Sequence, residues 1–385
     1  MDRQLIYLDY NATTPVDSRV LDTMMPYFSE KFGNASSSQH AYGWDAEEAV
    51  DSARTQVGSL IGAKPSEITF TSGATEAINL AIRGYVQANK SKDNHIITCK
   101  TEHKAVLDCC AQLEQEGVRI TYLDVDHQGL IDLNALEDAC KSDQAMLCAI
   151  MHANNETGVL QPLQEITKIA HVNDVPVFSD MTQSVGKIPV NVKELDMDLA
   201  AFSAHKMYGP KGVGGLYKSQ DAKLNISPQI VGGGHEKGLR SGTLNVPGIV
   251  GLGKACEITQ KQMLEDNERI QVLREYLENE LTRMGNVKIN GQEVERLPNV
   301  VNVSFKDVDG SKLIRSLKGL AVSQGSACNS SVIEPSHVLK TMGLSDALAY
   351  ASLRLSLGRM TTEEEIKKAI QIIRGSVEQL RMQLL

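Results

Sequence analysis

Short apolar runs alternate with amphipathic stretches through the first half of this 385-residue chain. This alternation constrains the fold more than any other feature of the sequence. Strands are expected at Glu67–Phe70, His95–Cys99, Arg119–Leu123, Met146–His152, Val175–Ser179, Leu199–Ser203 and Gly214–Tyr217, with helical patterns between most of them. Strands separated by helices fold into a mostly parallel sheet with helices on both faces, so the fold class is α/β. A chain of this length exceeds what one core usually serves, and two domains are expected. The stretch from about Val246 to Met284 predicts a helix, or a broken helix pair, leading into the second domain. Strands are expected there at Asn299–Phe305 and Leu353–Gly358, followed by a helix capped at Thr361-Thr362-Glu-Glu-Glu365.

The run Leu199-Ala-Ala-Phe-Ser203 breaks abruptly into Ala204-His205-Lys206 and then into glycines. A strand ending there presents a lysine at its carboxyl edge. Burial disfavours an ammonium ion and leaves the nucleophilic amine that a Schiff base requires. Taken alone, a loop lysine is usually solvated. Upstream, Val175-Pro-Val-Phe-Ser-Asp180 ends a strand on an acid, in the crevice where open α/β sheets bind ligands. Such an acid fits a cofactor ring nitrogen, and it equally fits a helix N-cap. Thr71-Ser72-Gly73-Ala74-Thr75-Glu76 has the strand, small-residue turn and helix start that aim N–H groups at a phosphate. By itself it also approximates a capping box. Lysine, acid and phosphate turn together suit pyridoxal 5'-phosphate.

Further motifs occur in order: Asp9-Tyr-Asn11-Ala-Thr-Thr14-Pro15, Phe32-Gly-Asn34-Ala-Ser-Ser, Thr101-Glu-His103, Met151-His-Ala-Asn-Asn155-Glu-Thr-Gly, Arg240-Ser-Gly-Thr243 and Gly325-Ser-Ala-Cys328. With the three above, this series resembles the IscS/NifS-type cysteine desulfurases, pyridoxal-phosphate enzymes of the class V aminotransferase fold. The resemblance runs from the first strand to about Glu365. It implies a large cofactor-binding domain over 16–262 and a smaller α/β domain built from 1–15 and 263–385, carrying a cysteine loop at about 322–336. It also implies site roles. Lys206 bears the cofactor and moves the substrate α-proton, Asp180 pairs with the ring nitrogen, and His103 stacks on the ring and exchanges protons. Asn155 and Gln183 bond ring substituents, while Ala74, Thr75, Ser203 and His205 hold the phosphate. Thr243 reaches the phosphate of a neighbouring subunit, which implies a homodimer. Arg354, with Asn155, binds the substrate L-cysteine. Cys328 takes its sulfur as a persulfide for delivery to acceptor proteins, serving iron–sulfur cluster assembly, tRNA thiolation or DNA phosphorothioation. A class V aminotransferase or selenocysteine lyase is opposed by the Gly-Ser-Ala-Cys loop, and a non-catalytic scaffold by the retention of Lys206, Asp180 and His103.

The bulk properties agree. With 39 basic and 48 acidic side chains the formal charge is −9, and there is no basic arm to bind nucleic acid directly. No apolar run approaches a membrane span, and the first motif begins too early to leave room for a signal peptide; a soluble, cytoplasmic protein is expected. Seven cysteines in unpaired spacing argue for a reducing compartment. Cys99, Cys109, Cys110, Cys140, Cys148 and Cys256 are expected to be packing residues. Cys328 differs, lying in a small, polar segment suited to a flexible loop.

Three positions depart from the commonest pattern of the family: Met181, Ala204 and Asn329 stand where alanine, glycine, and threonine or serine are usual. The chain stops at Leu385, short of the tail through which IscS enzymes engage their scaffold, so an acceptor other than that scaffold is expected.

Overall fold

The computed structural model describes residues 5–89, 94–142, 145–324 and 335–383. A seven-stranded sheet runs in the order Ile68–Thr71, Gly214–Lys218, Leu199–Ser203, Val177–Asp180, Ala145–Ala149, His95–Cys99, Arg119–Leu123. Only Gly214–Lys218 runs antiparallel to its neighbours; the remaining pairings are parallel. The strand pleat explains why the inner strands carry apolar residues on both faces. Ala200 and Phe202 enter one core while Leu199 and Ala201 enter the core on the opposite face. Val177 and Phe178 divide in the same way, as do Ile97 and Ile96. A sheet covered on both faces must bury successive side chains, which removes the polar alternation of a half-exposed strand.

The strand positions agree with expectation, and the edges shift for local reasons. Pro176 has no N–H, and the fourth strand of the order starts at Val177. Glu67 belongs to the turn Pro65–Glu67, where its carboxylate accepts from Lys64 N–H at 2.9 Å and Lys193 Nζ at 2.7 Å. Beyond Ala149 the chain leaves the regular ladder but stays alongside it, with His152 N–H donating to the Asp180 carbonyl at 3.1 Å. This places the segment that follows, through Asn155, beside the strand end that carries Asp180.

The stretch after Val246 is one continuous helix, Val246–Thr282, rather than a broken pair. Pro247 sits in its first turn, where no N–H partner is lost. Its early residues Ile249 and Leu252 pack in the core of the seven-stranded sheet, and its late residues Leu273 and Leu277 pack in another. That second core covers an antiparallel sheet ordered Ser352–Ser356, Val300–Phe305, Val287–Ile289. The final helix, Glu363–Met382, closes over it with Ile366, Ile370 and Ile373. Its start is the expected capping box, with Thr362 and Glu365 bonding each other's backbone N–H. The N-terminal segment returns to this part of the molecule, as Ile6–Tyr7 pairs in parallel with Leu320–Ala321. From there Asp9 to Thr14 are carried across to the ends of the large sheet.

Candidate active site

The strand Leu199–Ser203 ends in a tight turn, Ala204–Lys206. This turn brings Lys206 up to the N-terminal segment, where its Nζ donates to the carbonyls of Asn11 at 2.6 Å and Ala12 at 2.8 Å. Burial pushes its pKa down to about 8, helped by the Arg354 guanidinium and opposed by Asp180 and Asp9. A lysine in this state supplies neutral amine near physiological pH. Asp180, at the end of its own strand, is buried and holds its carboxylate by accepting the Thr182 N–H at 2.9 Å.

His103 caps the helix Lys104–Gln115, its Nδ1 accepting from Ala105 N–H at 3.1 Å. Accepting that bond requires Nδ1 to be bare and leaves the ring proton on Nε2. The ring edge is open to the cleft, yet the protein packed around it lowers its pKa by burial, while the Asp180 charge works in the other direction. His103 is thus presented as a neutral imidazole with a defined tautomer.

The helix Ala74–Ala88 begins at Gly73, with φ +155° and no side chain capping its first N–H groups. Glu76 is engaged elsewhere, accepting from Ser72 N–H at 2.8 Å and from Arg240 Nε at 2.8 Å. The sequence fits a capping box in outline, but the structure leaves the helix end without one. Ser203 is buried beside it, and a Cβ added at Gly73 would stand 3.9 Å from the Ser203 hydroxyl. An uncapped N-terminus with a hydroxyl alongside suits a phosphate.

These groups meet in one cleft of about 570 Å³. Of the residues expected from sequence, Ala74, Thr75, His103, Asn155 and Asp180 line it, as do Gln183, Ser203, His205 and Lys206. Burial and the Lys206 charge push the His205 pKa down to about 4, and its Nδ1 lies 3.1 Å from the Thr13 hydroxyl. Arg354 stands behind the wall, with Nη1 donating to the Asn155 carbonyl at 3.1 Å and Nη2 to Asp9 Oδ1 at 2.7 Å. Its Nε is buried without a partner among the described residues. Thr243 is exposed on the surface and is not part of the cleft lining. Cys328 and Asn329 lie outside the described residues. The other six cysteines are buried, in keeping with packing roles. Met181 and Ala204 are likewise buried in the core beneath the site.

The cleft fits pyridoxal phosphate. The uncapped helix end, the lysine of lowered pKa and the strand-end acid suit its three functional parts. Thr182 adds a buried hydroxyl with no partner among the described residues, and it lines the same cleft. Asn11 lies within a sequence motif that assigns it no role. Its carbonyl receives Lys206, and its side-chain Nδ2 donates to the Asn155 carbonyl at 3.1 Å. Lys187 was not singled out at all. The signal available was its spacing of four from Gln183, one helical turn, which without the fold looks like any surface pair.

Comparison with known proteins gives a consistent result. The model of the family Aminotransferase class-V matches residues 6–369. The cysteine desulfurase IscS of Edwardsiella ictaluri (strain 93-146) is 51% identical over 378 residues, covering 98% of this chain and 93% of that protein. Among solved structures, a NifS-like protein superposes with a TM-score of 0.91 at 38% identity, covering 98% of this chain and 100% of the other. SspA in complex with cysteine superposes with a TM-score of 0.81 at 36% identity, over 92% of this chain and 99% of the other.

Proposed function

The chain belongs to the class-V aminotransferase family, and on that premise we propose that it is a pyridoxal-phosphate-dependent cysteine desulfurase. It converts L-cysteine to L-alanine and passes the sulfur to acceptor proteins. The observation that carries this reading is the convergence of Lys206, Asp180, His103 and the uncapped helix end on one cleft. Near-full-length identity of 51% to a cysteine desulfurase supports the substrate.

Bound pyridoxal phosphate supplies an electron sink for the substrate α-carbon. The chain's own residues do the rest. Lys206, held at the strand end with a pKa of about 8, takes the α-proton and returns it. Asp180, at the end of its strand, would hold the ring nitrogen. Neutral His103 offers its Nε2 proton into the cleft. Arg354, with Asn155, binds the substrate carboxylate, a task suited to a planar guanidinium, which exchanges its hold on Asp9 and the Asn155 carbonyl to do so. The Cys328 thiolate attacks the substrate sulfur: the S–S bond forms, the Cβ–S bond breaks, and the departing carbon takes protons to become alanine. One enzyme thiol and one cysteine yield one enzyme persulfide and one alanine.

The active unit is a homodimer in which Thr243 of each subunit serves the other's phosphate site. Its support is the exposure of Thr243 together with an apolar surface of Phe28, Phe32, Tyr42 and Trp44, each more than half exposed. Residues 16–262 form the cofactor domain, and 1–15 with 263–385 the smaller one; the separate apolar cores support this division. No helix among the described residues is long and apolar enough to cross a membrane, and we place the protein in the cytoplasm.

The test is Cys328→Ala. The variant is expected to bind cysteine and change its visible spectrum while releasing no sulfide. Normal sulfide release would refute the role of Cys328 and favour a lyase, whereas an amino-group transfer that frees no sulfur in the unmodified protein would favour an aminotransferase.

A further inference from the structure

Lys187 is a buried titratable group beside the cleft that the proposed chemistry does not use. It is 8% exposed, and its Nζ donates to Asn11 Oδ1 at 2.8 Å and, by a shorter bond, to Gln183 Oε1. No carboxylate is among its hydrogen-bond partners in the described residues. A buried lysine in such a setting costs stability unless its donors are well used. Burial and the Lys206 charge hold its pKa well below the usual lysine value.

Those bonds decide the orientation of two side-chain amides. A lysine N–H is a donor, so both amides must turn their oxygens toward it. With Oδ1 committed to Lys187 and to Asn299 Nδ2 at 3.0 Å, Asn11 must aim its Nδ2 at the Asn155 carbonyl. With Oε1 committed, Gln183 must turn Nε2 the other way, where one N–H meets the Asn11 carbonyl at 3.0 Å. That same carbonyl receives Lys206 Nζ. The second Nε2 N–H has no partner among the described residues, and Gln183 lines the cleft. Were the Gln183 amide reversed, its oxygen would confront the Asn11 carbonyl, an acceptor facing an acceptor.

We propose that Lys187 is a positioning residue that locks the amides of Asn11 and Gln183, so that Gln183 presents an N–H donor, and not its carbonyl, to the cofactor. The proposal rests on the pyridoxal-phosphate reading above. An N–H in that place suits an anionic ring oxygen, which a carbonyl would repel.

The test uses Lys187→Met, which keeps the length and apolar stem and removes the donor. In the purified holoenzyme the visible cofactor band should move, and pyridoxal phosphate should dissociate about tenfold more readily, the size expected for losing one charge-assisted hydrogen bond. The same substitution made in a Gln183→Ala background should produce little of either change, because the amide that faces the cofactor is then gone and only the Asn11 amide remains for Lys187 to orient. Lys187→Gln, which retains a donor, should restore the band in part. An unchanged band and affinity in Lys187→Met, or an equally large effect without Gln183, would overturn the proposal. So would failure of both Lys187 variants to fold, since the role would then be structural. The unmodified protein separates the two readings: absence of any cofactor band there refutes the function itself, whereas a normal band with an indifferent Lys187 refutes only this inference.

Discussion

Lys206 is the residue whose environment makes the sharpest demand. Only the neutral amine can condense with an aldehyde, so the rate at which the cofactor-free protein takes up pyridoxal phosphate should rise with pH and level off above about 8. Stopped-flow absorbance measures this directly. Arg354→Gln removes a positive neighbour that lowers the Lys206 pKa, and the midpoint should move upward. A profile that keeps rising to the ordinary lysine range would contradict the geometry. Glu156 gives a second pH dependence. Burial raises its pKa from 4.5 to about 7, against a hydrogen bond from the Ser336 hydroxyl. Between those two values the unfolded chain has released the proton and the folded chain still holds it. This group therefore lowers stability as pH rises from 4.5 to 7, by up to about 3 kcal/mol. Glu156→Gln should melt higher than the native protein at pH 8 and nearly level with it at pH 4.5. Lys206 and Asp180 were legible in the sequence because one follows and the other ends an apolar strand run, whereas His103 was marked only by the family resemblance. Lys187 and Asn11 were not legible, since their partners lie at separations of up to 288 residues.

At the scale of elements, the helix Ala74–Ala88 trades its own cap for a ligand site. Gly73 has φ +155° and ψ 179°, a region that side-chain-bearing residues rarely adopt. The space around it is open, with the Ser203 hydroxyl at 3.9 Å as the nearest neighbour of an added Cβ. The cost of Gly73→Ala is consequently conformational, about 1–3 kcal/mol. It should appear as weaker pyridoxal-phosphate binding in equilibrium dialysis, because relaxing the strain moves the helix N–H groups. Unaltered affinity would mean that the phosphate sits elsewhere. The inner strands were legible because they are buried on both faces and so largely apolar, while the edge strand Arg119–Leu123 is only partly buried. The continuity of Val246–Thr282 was harder to see, because its apolar stripe leaves one core at Ile258 and resumes in another at Ile270. The interval between them is polar, as a helix crossing between two cores must be.

For the molecule as a whole, the expected dimer can be tested by complementation. Lys206→Ala and Thr243→Ala chains should each be inactive or nearly so. In a mixed dimer one site receives both lesions and the other receives neither, so activity should recover to about half per dimer at most, less when chains assort at random. Confirmed mixed dimers without recovery would show that each chain completes its own site. The exposed aromatic surface around Phe32 and Trp44 should lose solvent access in the dimer, measurable as a blue shift of emission from Trp44, the sole tryptophan.

The sequence by itself determined the alternation of strands and helices, the strand-end lysine and acid, and the glycine turn that opens a helix. These follow from local rules, since side-chain period and turn chemistry operate within a few residues. Tertiary structure alone decided that the N-terminal segment crosses back to the large sheet, that Asn11 receives Lys206, and that Lys187 meets the side-chain oxygens of Asn11 and Gln183. Those outcomes depend on where the chain returns after packing two cores, and the direction of a buried hydrogen bond is set by whichever partners arrive beside it.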